Sequence, residues 1–159
     1  MVYADTSFLF SLVLHDVNSA GAVAYLRRHS TSLVLTPWQR CELNNAVRLS
    51  VWRGNCSAAI AMAALKKIDA DLSTGNFAET PLIWPEVLKI ADELGEKHTS
   101  ALGVRTLDLL HVSAAISLKA KAFLTYDGRQ HALARASGLR AQKLLKSTCR
   151  NRHLASVRE

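Results

Sequence analysis

Residues 2–7 are Val2-Tyr3-Ala4-Asp5-Thr6-Ser7, three apolar residues followed by an acid and two hydroxyl side chains. The apolar residues predict a short strand, and Asp-Thr-Ser is typical of the cap that starts a helix. A strand that leads into a helix is the repeating unit of α/β folds with parallel sheets. This segment therefore predicts an α/β protein in which Asp5 follows the carboxyl end of the first strand.

Apolar runs alternate with helical patterns along the rest of the sequence. Further strands are predicted at residues 33–35, 81–83, 122–125 and 139–141, with a loop at 69–79. Helices are predicted at residues 6–14, 19–28, 37–53, 58–68, 84–97, 107–118 and 130–136. This alternation predicts a mainly parallel sheet with helices on both faces.

The composition is that of a single soluble domain. Of the 159 residues, 49% are hydrophobic and 21% are charged, which is enough for one core. No apolar run approaches the roughly 20 residues that span a bilayer, and residues 1–5 lack the features of a signal peptide. Cys41, Cys56 and Cys149 have no disulfide-framework or zinc-site spacing and are expected to be buried thiols. We therefore expect a cytoplasmic protein without a membrane partner.

Positive charge is concentrated near the carboxyl terminus. The net charge is +7, and residues 140–159 hold six basic residues against Glu159 alone, so five of these charges lie there. Such a segment is either a solvated end or an arm that binds phosphates without sequence specificity.

Four carboxylates stand at the ends of apolar segments, although only 13 of the 159 residues are acidic: Asp5, Glu42, Asp108 and Asp127. Asp5 and Asp127 each follow a predicted strand, on the rim where ligands of parallel sheets bind. Burying a carboxylate is unfavourable unless it is paired or binds a metal. The set predicts a divalent-cation site.

Each acid also has a structural explanation. Asp108 begins an almost wholly apolar helix, where a negative charge is favoured by the helix dipole, and Asp5 suits a helix N-cap. For both we favour the role of metal ligand. Glu42 is either a ligand or a solvated residue at the border of its helix. Asp127 before Gly128 is either a turn residue or a residue that binds the metal or supports its ligands. These two alternatives stay open.

The chemistry of such a cluster points to phosphodiester hydrolysis. Carboxylates that lie close together repel one another, and Mg²⁺ or Mn²⁺ relieves that repulsion while activating a water. His111, one turn after Asp108, is interpreted as a satisfied core residue because metal-bound hydroxide needs no separate strong base. Trp38, Trp52 and Trp84 are interpreted as packing residues. A receiver domain or a haloacid-dehalogenase-type phosphatase is disfavoured, because the first strand ends in a single acid.

Four motifs in order resemble the PIN-domain ribonucleases, in particular the VapC-type toxins. They are Val2-Tyr3-Ala4-Asp5-Thr6-Ser7, Cys41-Glu42-Leu43, Arg105-Thr106-Leu107-Asp108-Leu109-Leu110-His111 and Leu124-Thr125-Tyr126-Asp127-Gly128-Arg129-Gln130. The resemblance covers residues 1–141 as a PIN-like nuclease domain. It leaves residues 142–159 as a basic C-terminal tail to which no role transfers.

The resemblance implies a three-layer α/β/α Rossmann-like fold with a mainly parallel central sheet. It also implies a Mg²⁺-dependent endoribonuclease in which Asp5, Glu42, Asp108 and Asp127 are the catalytic and metal-binding residues, with Mn²⁺ as a substitute. Ser7 and Thr125 would orient ligands or water. The implied partners are an RNA substrate, a small antitoxin that inhibits the toxin, and a second copy in a homodimer. The alternative is a catalytically silent PIN-like module that binds nucleic acid or regulates.

Overall fold

A computed structural model describes residues 1–29 and 32–144, and in these ranges five strands form one all-parallel sheet. The strands are β1 (Val2–Ala4), β2 (Leu33–Leu35), β3 (Phe77–Glu79), β4 (Ala122–Thr125) and β5 (Ala141–Lys143). Their order across the sheet is β3-β2-β1-β4-β5. The prediction of a mainly parallel sheet is confirmed.

Seven helices connect these strands in the described ranges. They are α1 (Thr6–Val13), α2 (Ser19–His29), α3 (Pro37–Trp52), α4 (Ala58–Ser73), α5 (Trp84–Leu102), α6 (Thr106–Ser117) and α7 (Gly128–Ala136). None of them is long and apolar enough to cross a bilayer. Each of the strands β1 to β4 is followed by a helix, as expected for an alternating α/β chain.

Side chains that alternate along β1 face two separate cores. Val2 and Ala4 pack with apolar residues of α1 to α4, whereas Tyr3 packs with those of α5 to α7. Successive side chains of a strand point to opposite faces of the sheet, so one strand serves both cores. The sheet therefore lies between two helical layers, which confirms the three-layer α/β/α architecture.

The central strands β1, β2 and β4 are short and buried throughout, and all of their residues except Thr125 are apolar. In β1, Tyr3 pairs with Val34 of β2 on one side and Phe123 of β4 on the other. The pairing with β4 continues past the end of β1, because the Asp5 N–H donates to the Leu124 carbonyl at 2.9 Å. This bond brings Asp5 to the carboxyl end of β4, where Thr125 and Asp127 follow.

The prediction of a loop at 69–79 is wrong, and so is the prediction of a strand at 81–83. Helix α4 continues to Ser73, and β3 lies at Phe77–Glu79, parallel to β2. Only Phe77 of this edge strand is buried, so the sequence carries no apolar run to mark it. Ile83 is 67% exposed and lies just before α5, which explains why its hydrophobicity gave a false strand signal.

Two boundaries near the later elements also differ from the prediction. Helix α5 runs five residues past 97 to Leu102 and is capped by Gly103, whose φ of 61° suits glycine. Strand β5 lies at Ala141–Lys143 and not at 139–141, because its pairing with β4 starts where Ala141 lies opposite Phe123. The charged residues beyond 144 and Cys149 lie outside the described residues. Cys41 is exposed, so the expectation of a buried thiol there is wrong.

Gln39 joins the start of α3 to the central strand. Its side-chain oxygen accepts from the Thr36 N–H at 2.8 Å, its own N–H donates to Thr36 Oγ1, and its Nε2 donates to the Ala4 carbonyl at 2.6 Å. Gln39 is fully buried, so these bonds are shielded from water. The contact fixes α3, and with it Glu42, against the strand end that precedes Asp5.

We predict that Gln39→Ala lowers the free energy of unfolding by about 1–3 kcal/mol, because it leaves the buried Thr36 N–H without its acceptor. Asn45→Ala, at an exposed position of the same helix, is the matched control and should change stability by less than about 0.5 kcal/mol. Urea denaturation followed by circular dichroism measures both. Equal stabilities of the two variants would contradict the structural role given to Gln39.

Candidate active site at the rim of the sheet

Asp5 is the most deeply buried acid of the rim, at 1% exposure. Its Oδ1 accepts hydrogen bonds from the Phe8 N–H at 2.9 Å and from Ser7 Oγ at 2.7 Å, and its Oδ2 accepts from Thr125 Oγ1 at 2.7 Å. The residue therefore caps α1, as the sequence allowed, and is also held by the two hydroxyls that the family resemblance singled out.

The same two hydroxyls tie the chain after β4 to Asp5. Thr125 Oγ1 accepts from the Asp127 N–H at 2.8 Å, and Ser7 Oγ accepts from the Tyr126 N–H at 3.0 Å. Each hydroxyl thus donates to the Asp5 carboxylate while it accepts from the loop that carries Asp127. The arrangement fixes the loop beside Asp5.

Burial raises the pKa of the Asp5 carboxyl, and His111 and the donors Ser7, Thr125 and Phe8 only partly offset this rise. The charged form of Asp5 is thus disfavoured in the folded protein despite its hydrogen bonds. A positive charge placed beside the carboxylate would stabilise its charged form.

Glu42 faces the site from α3, with 27% of its side chain exposed. Its Oε2 accepts from Thr6 Oγ1 and lies 2.9 Å from His111 Nε2. Burial acts to raise the pKa of Glu42, but the hydrogen bonds and charge of His111, with the bond from Thr6, outweigh it and the pKa is lowered. Glu42 is therefore joined to α1 and α6 and is not a free residue on the helix border.

Asp108 lies in the first turn of α6 and is 6% exposed. Its Oδ2 accepts from the Arg105 N–H at 2.9 Å and lies 3.8 Å from Arg129 Nε. Asp108 thus accepts a hydrogen bond from a backbone N–H at the start of its own helix, where the helix dipole favours a negative charge. Arg129, which the sequence analysis did not single out, lies two residues after Asp127 and links that loop to Asp108.

Asp127 is the N-cap of α7, which begins at Gly128, two residues earlier than predicted. Its Oδ1 accepts from the backbone N–H groups of Arg129 at 2.7 Å and Gln130 at 3.1 Å. The Asp-Gly pair thus starts a helix and does not form an isolated turn. Capping leaves the other carboxylate oxygen available.

Three of the four carboxylates direct their hydrogen bonds to one oxygen only. The described bonds are made by Glu42 Oε2, Asp108 Oδ2 and Asp127 Oδ1, and none of them uses Glu42 Oε1, Asp108 Oδ1 or Asp127 Oδ2. Free carboxylate oxygens are the donors that Mg²⁺ and Mn²⁺ prefer. The donor chemistry therefore fits a hard divalent cation. In residues 1–29 and 32–144, however, no three acidic, His or Cys side chains are grouped closely enough to hold one.

His111 is buried and has a partner at each ring nitrogen, as expected for a satisfied core residue. One partner is the Tyr3 hydroxyl, 3.1 Å from Nδ1, and the other is Glu42 at Nε2. Burial and the charges of Asp5 and Glu42 raise the pKa of Tyr3 well above its ordinary value. Sequence reasoning missed that this His joins a candidate site residue. Its place one turn after Asp108, on a buried helix, was the available signal.

The three tryptophans differ in their surroundings. Trp38 packs on His111 with ring centroids 4.5 Å apart and contacts Trp84 edge-on at 5.9 Å, so both have the packing role expected of them. Trp52 is 82% exposed at the end of α3 and lies outside the core of this single chain. None of the three tryptophans belongs to the acidic rim itself.

We predict that the melting temperature of Asp5→Asn relative to wild type, measured in EDTA, increases as pH rises from 3.8 to the folded-state pKa of Asp5 and levels off above it. The folded-state pKa of Asp5 is raised above its ordinary 3.8, so ionised Asp5 destabilises the fold above that folded pKa. The effect fades as pH falls through the folded pKa towards 3.8, because the carboxyl is then protonated in both states.

Asp92→Asn, at an exposed position of α5, is the control and should melt close to wild type. A melting temperature of Asp5→Asn that does not increase relative to wild type anywhere between pH 3.8 and neutral pH would contradict the assigned environment of Asp5.

Comparison of the sequence with family models gives a match over most of the chain. The sequence model of the PIN domain matches residues 2–136. No curated protein sequence gives a match.

Three solved structures share the fold. PAE2754 from Pyrobaculum aerophilum is 20% identical, with a TM-score of 0.59 over 88% of this chain and 82% of its own. VapC20 from Mycobacterium tuberculosis, a sarcin–ricin loop cleaving toxin, is 16% identical, with a TM-score of 0.62 over 87% and 96%. VapBC-1 from nontypeable Haemophilus influenzae is 18% identical, with a TM-score of 0.58 over 90% and 98%. At these identities the similarity concerns the fold.

Proposed function

Because this chain belongs to the PIN domain family, we propose that it is a metal-dependent endoribonuclease and acts as the toxin of a toxin–antitoxin pair. The observation that carries the proposal is the buried Asp5 after the central strand, held by Ser7 and Thr125. The other three acids lie near the starts of neighbouring helices: Glu42 in the second turn of α3, Asp108 in the first turn of α6 and Asp127 at the N-cap of α7. A buried carboxylate with a raised pKa is a common mark of a functional site.

In this proposal Asp5, Glu42, Asp108 and Asp127 hold Mg²⁺, for which Mn²⁺ substitutes. When bound, the ion supplies an activated water and neutralises charge at the scissile phosphate. The free oxygens of three of the carboxylates are the donors, and binding requires these side chains to come closer together than in the structure described.

The other residues of the site keep the acids in place. Ser7 and Thr125 orient the Asp5 carboxylate by donating to it, and they hold the Asp127 loop by accepting its N–H groups. Arg129 lies between Asp108 and the loop, where its positive charge limits repulsion among the acids.

The biological role is proposed from the relatives. VapC20 is described as a sarcin–ricin loop cleaving toxin, and both VapC20 and VapBC-1 share the fold of this chain. We infer that this chain also cuts RNA and that a small antitoxin covers its acidic rim. The net charge of +7 favours a polyanionic substrate. The homodimer, the cytoplasmic location and the phosphate-binding role of the tail at 142–159 remain predictions.

One observation favours the alternative of a catalytically silent module that binds nucleic acid. In the described part of the chain, no three candidate ligands are grouped around a common point. Ligands that are not grouped in this way are expected of a protein that retained the fold and lost the ability to bind a metal. Cleavage assays distinguish the two functions.

We predict that antitoxin-free protein cleaves a pool of structured RNAs in Mg²⁺, that EDTA stops the cleavage, and that Asp5→Asn removes it. The reason is that an amide at residue 5 cannot supply the anionic oxygen that a hard cation prefers. Gel analysis of 5′-labelled RNA gives the cut sites. Asp92→Asn, which changes an exposed acid on α5, is the matched control and should cleave like wild type.

Cleavage that persists in Asp5→Asn would show that a contaminant or another site is responsible. RNA binding without any cleavage across the pool, by protein that also fails to bind Mn²⁺, would support the silent module instead.

A further inference from the structure

A hydrogen-bonded chain from Tyr3 through His111 to Glu42 lies behind the acidic rim. We propose that His111, anchored by Tyr3, is a positioning residue that sets the orientation of the Glu42 carboxylate so that one oxygen stays open to the divalent cation. The proposal rests on the proposed function, because it assigns a role within the same site. It extends the site inward to two residues of the core.

The ring of His111 is fixed at both nitrogens. Its Nε2 lies 2.9 Å from Glu42 Oε2, and its Nδ1 lies 3.1 Å from the Tyr3 hydroxyl. An ionised carboxylate only accepts hydrogen bonds, so Nε2 carries the hydrogen and donates it to Glu42. This holds whether the Tyr3 hydroxyl donates to Nδ1 or accepts from it. With both nitrogens engaged, His111 is not itself a ligand.

Packing around the chain prevents the ring from turning. His111 and Tyr3 are both essentially inaccessible to solvent. Trp38 covers the imidazole at a centroid distance of 4.5 Å, and Tyr3 stacks on Phe123 of β4 at 5.6 Å, nearly parallel. The imidazole is therefore attached to the middle of the sheet through Tyr3, and Glu42 receives its bond from a rigid group.

The bonding of Glu42 is one-sided as a result. Thr6 Oγ1 and His111 Nε2 both donate to Oε2, while Oε1 has no bond to any described residue. Glutamate has three rotatable side-chain bonds, so an unsupported Glu42 would lose more conformational entropy on binding an ion than this one does. Hydrogen bonds to a ligating carboxylate orient it and typically change metal affinity by about 10- to 100-fold.

His111→Asn and His111→Gln form a matched pair that tests the bond. Both introduce a buried amide, but only the longer Gln places its N–H near the position of His Nε2, whereas Asn reaches the position of Nδ1. Full-length protein is titrated with Mn²⁺ by isothermal calorimetry, and RNA cleavage kinetics are measured alongside.

We expect His111→Asn to weaken Mn²⁺ binding by about tenfold or more, with lower kcat and unchanged KM for RNA, and His111→Gln to retain most of the affinity. A purely structural role would lower the melting temperature of both variants without separating their Mn²⁺ affinities. Equal affinities of the two variants would therefore overturn the proposal.

A double-mutant cycle tests whether His111 acts through Glu42. In a Glu42→Gln background, His111→Asn should cause little further loss of Mn²⁺ affinity, because the group that it positions is already gone. A loss of the same size in both backgrounds would overturn the proposal. If His111→Asn fails to fold, Tyr3→Phe replaces it, with a smaller loss of affinity expected and wild-type affinity as the contradicting result.

Failure of this proposal differs from failure of the proposed function. Wild-type protein that neither binds Mn²⁺ nor cleaves RNA would reject the nuclease itself. Wild-type protein that does both, with His111 variants that match it, would reject only the positioning role.

Discussion

The Asp5 N–H donates to the Leu124 carbonyl, and this continuation of the pairing between β1 and β4 governs the geometry of the whole rim. It places Asp5 beside Thr125, whose hydroxyl then bonds both the Asp5 carboxylate and the Asp127 N–H. Parallel strands end on the same edge of a sheet, so residues 120 positions apart in sequence become neighbours. The site is thus a consequence of strand register.

The surroundings of two carboxylates on this rim shift their pKa values in opposite directions. Asp5 is enclosed, and its pKa is raised because burial outweighs its donors. Glu42 is partly exposed, and its pKa is lowered because the bonds from His111 and Thr6 outweigh burial. One acid is therefore unfavourably charged without a further cation, while the other is held ionised. Without its ligand, a site of this kind lowers the stability of the folded protein.

The alternation of apolar runs with helical patterns was sufficient to predict the three layers and the position of Asp5, because buried parallel strands are strongly apolar. Strand β3 escaped prediction because Phe77 alone of its residues is buried. The sequence positions of the four acids predicted them as candidate site residues, but did not predict which residues they contact. The bonds of His111 to Glu42 and of Arg129 to Asp108 join residues distant in sequence, and no local pattern encodes such pairings. The bond from Gln39 to Ala4 was missed for the same reason.

The most direct test of a cation site at this rim is the anomalous diffraction of crystals grown with millimolar Mn²⁺. A peak within bonding distance of the Asp5 carboxylate and of at least one oxygen of Glu42, Asp108 or Asp127 is the predicted result. Well-ordered crystals with no anomalous peak near Asp5, or with Mn²⁺ bound only elsewhere on the protein, would contradict the account.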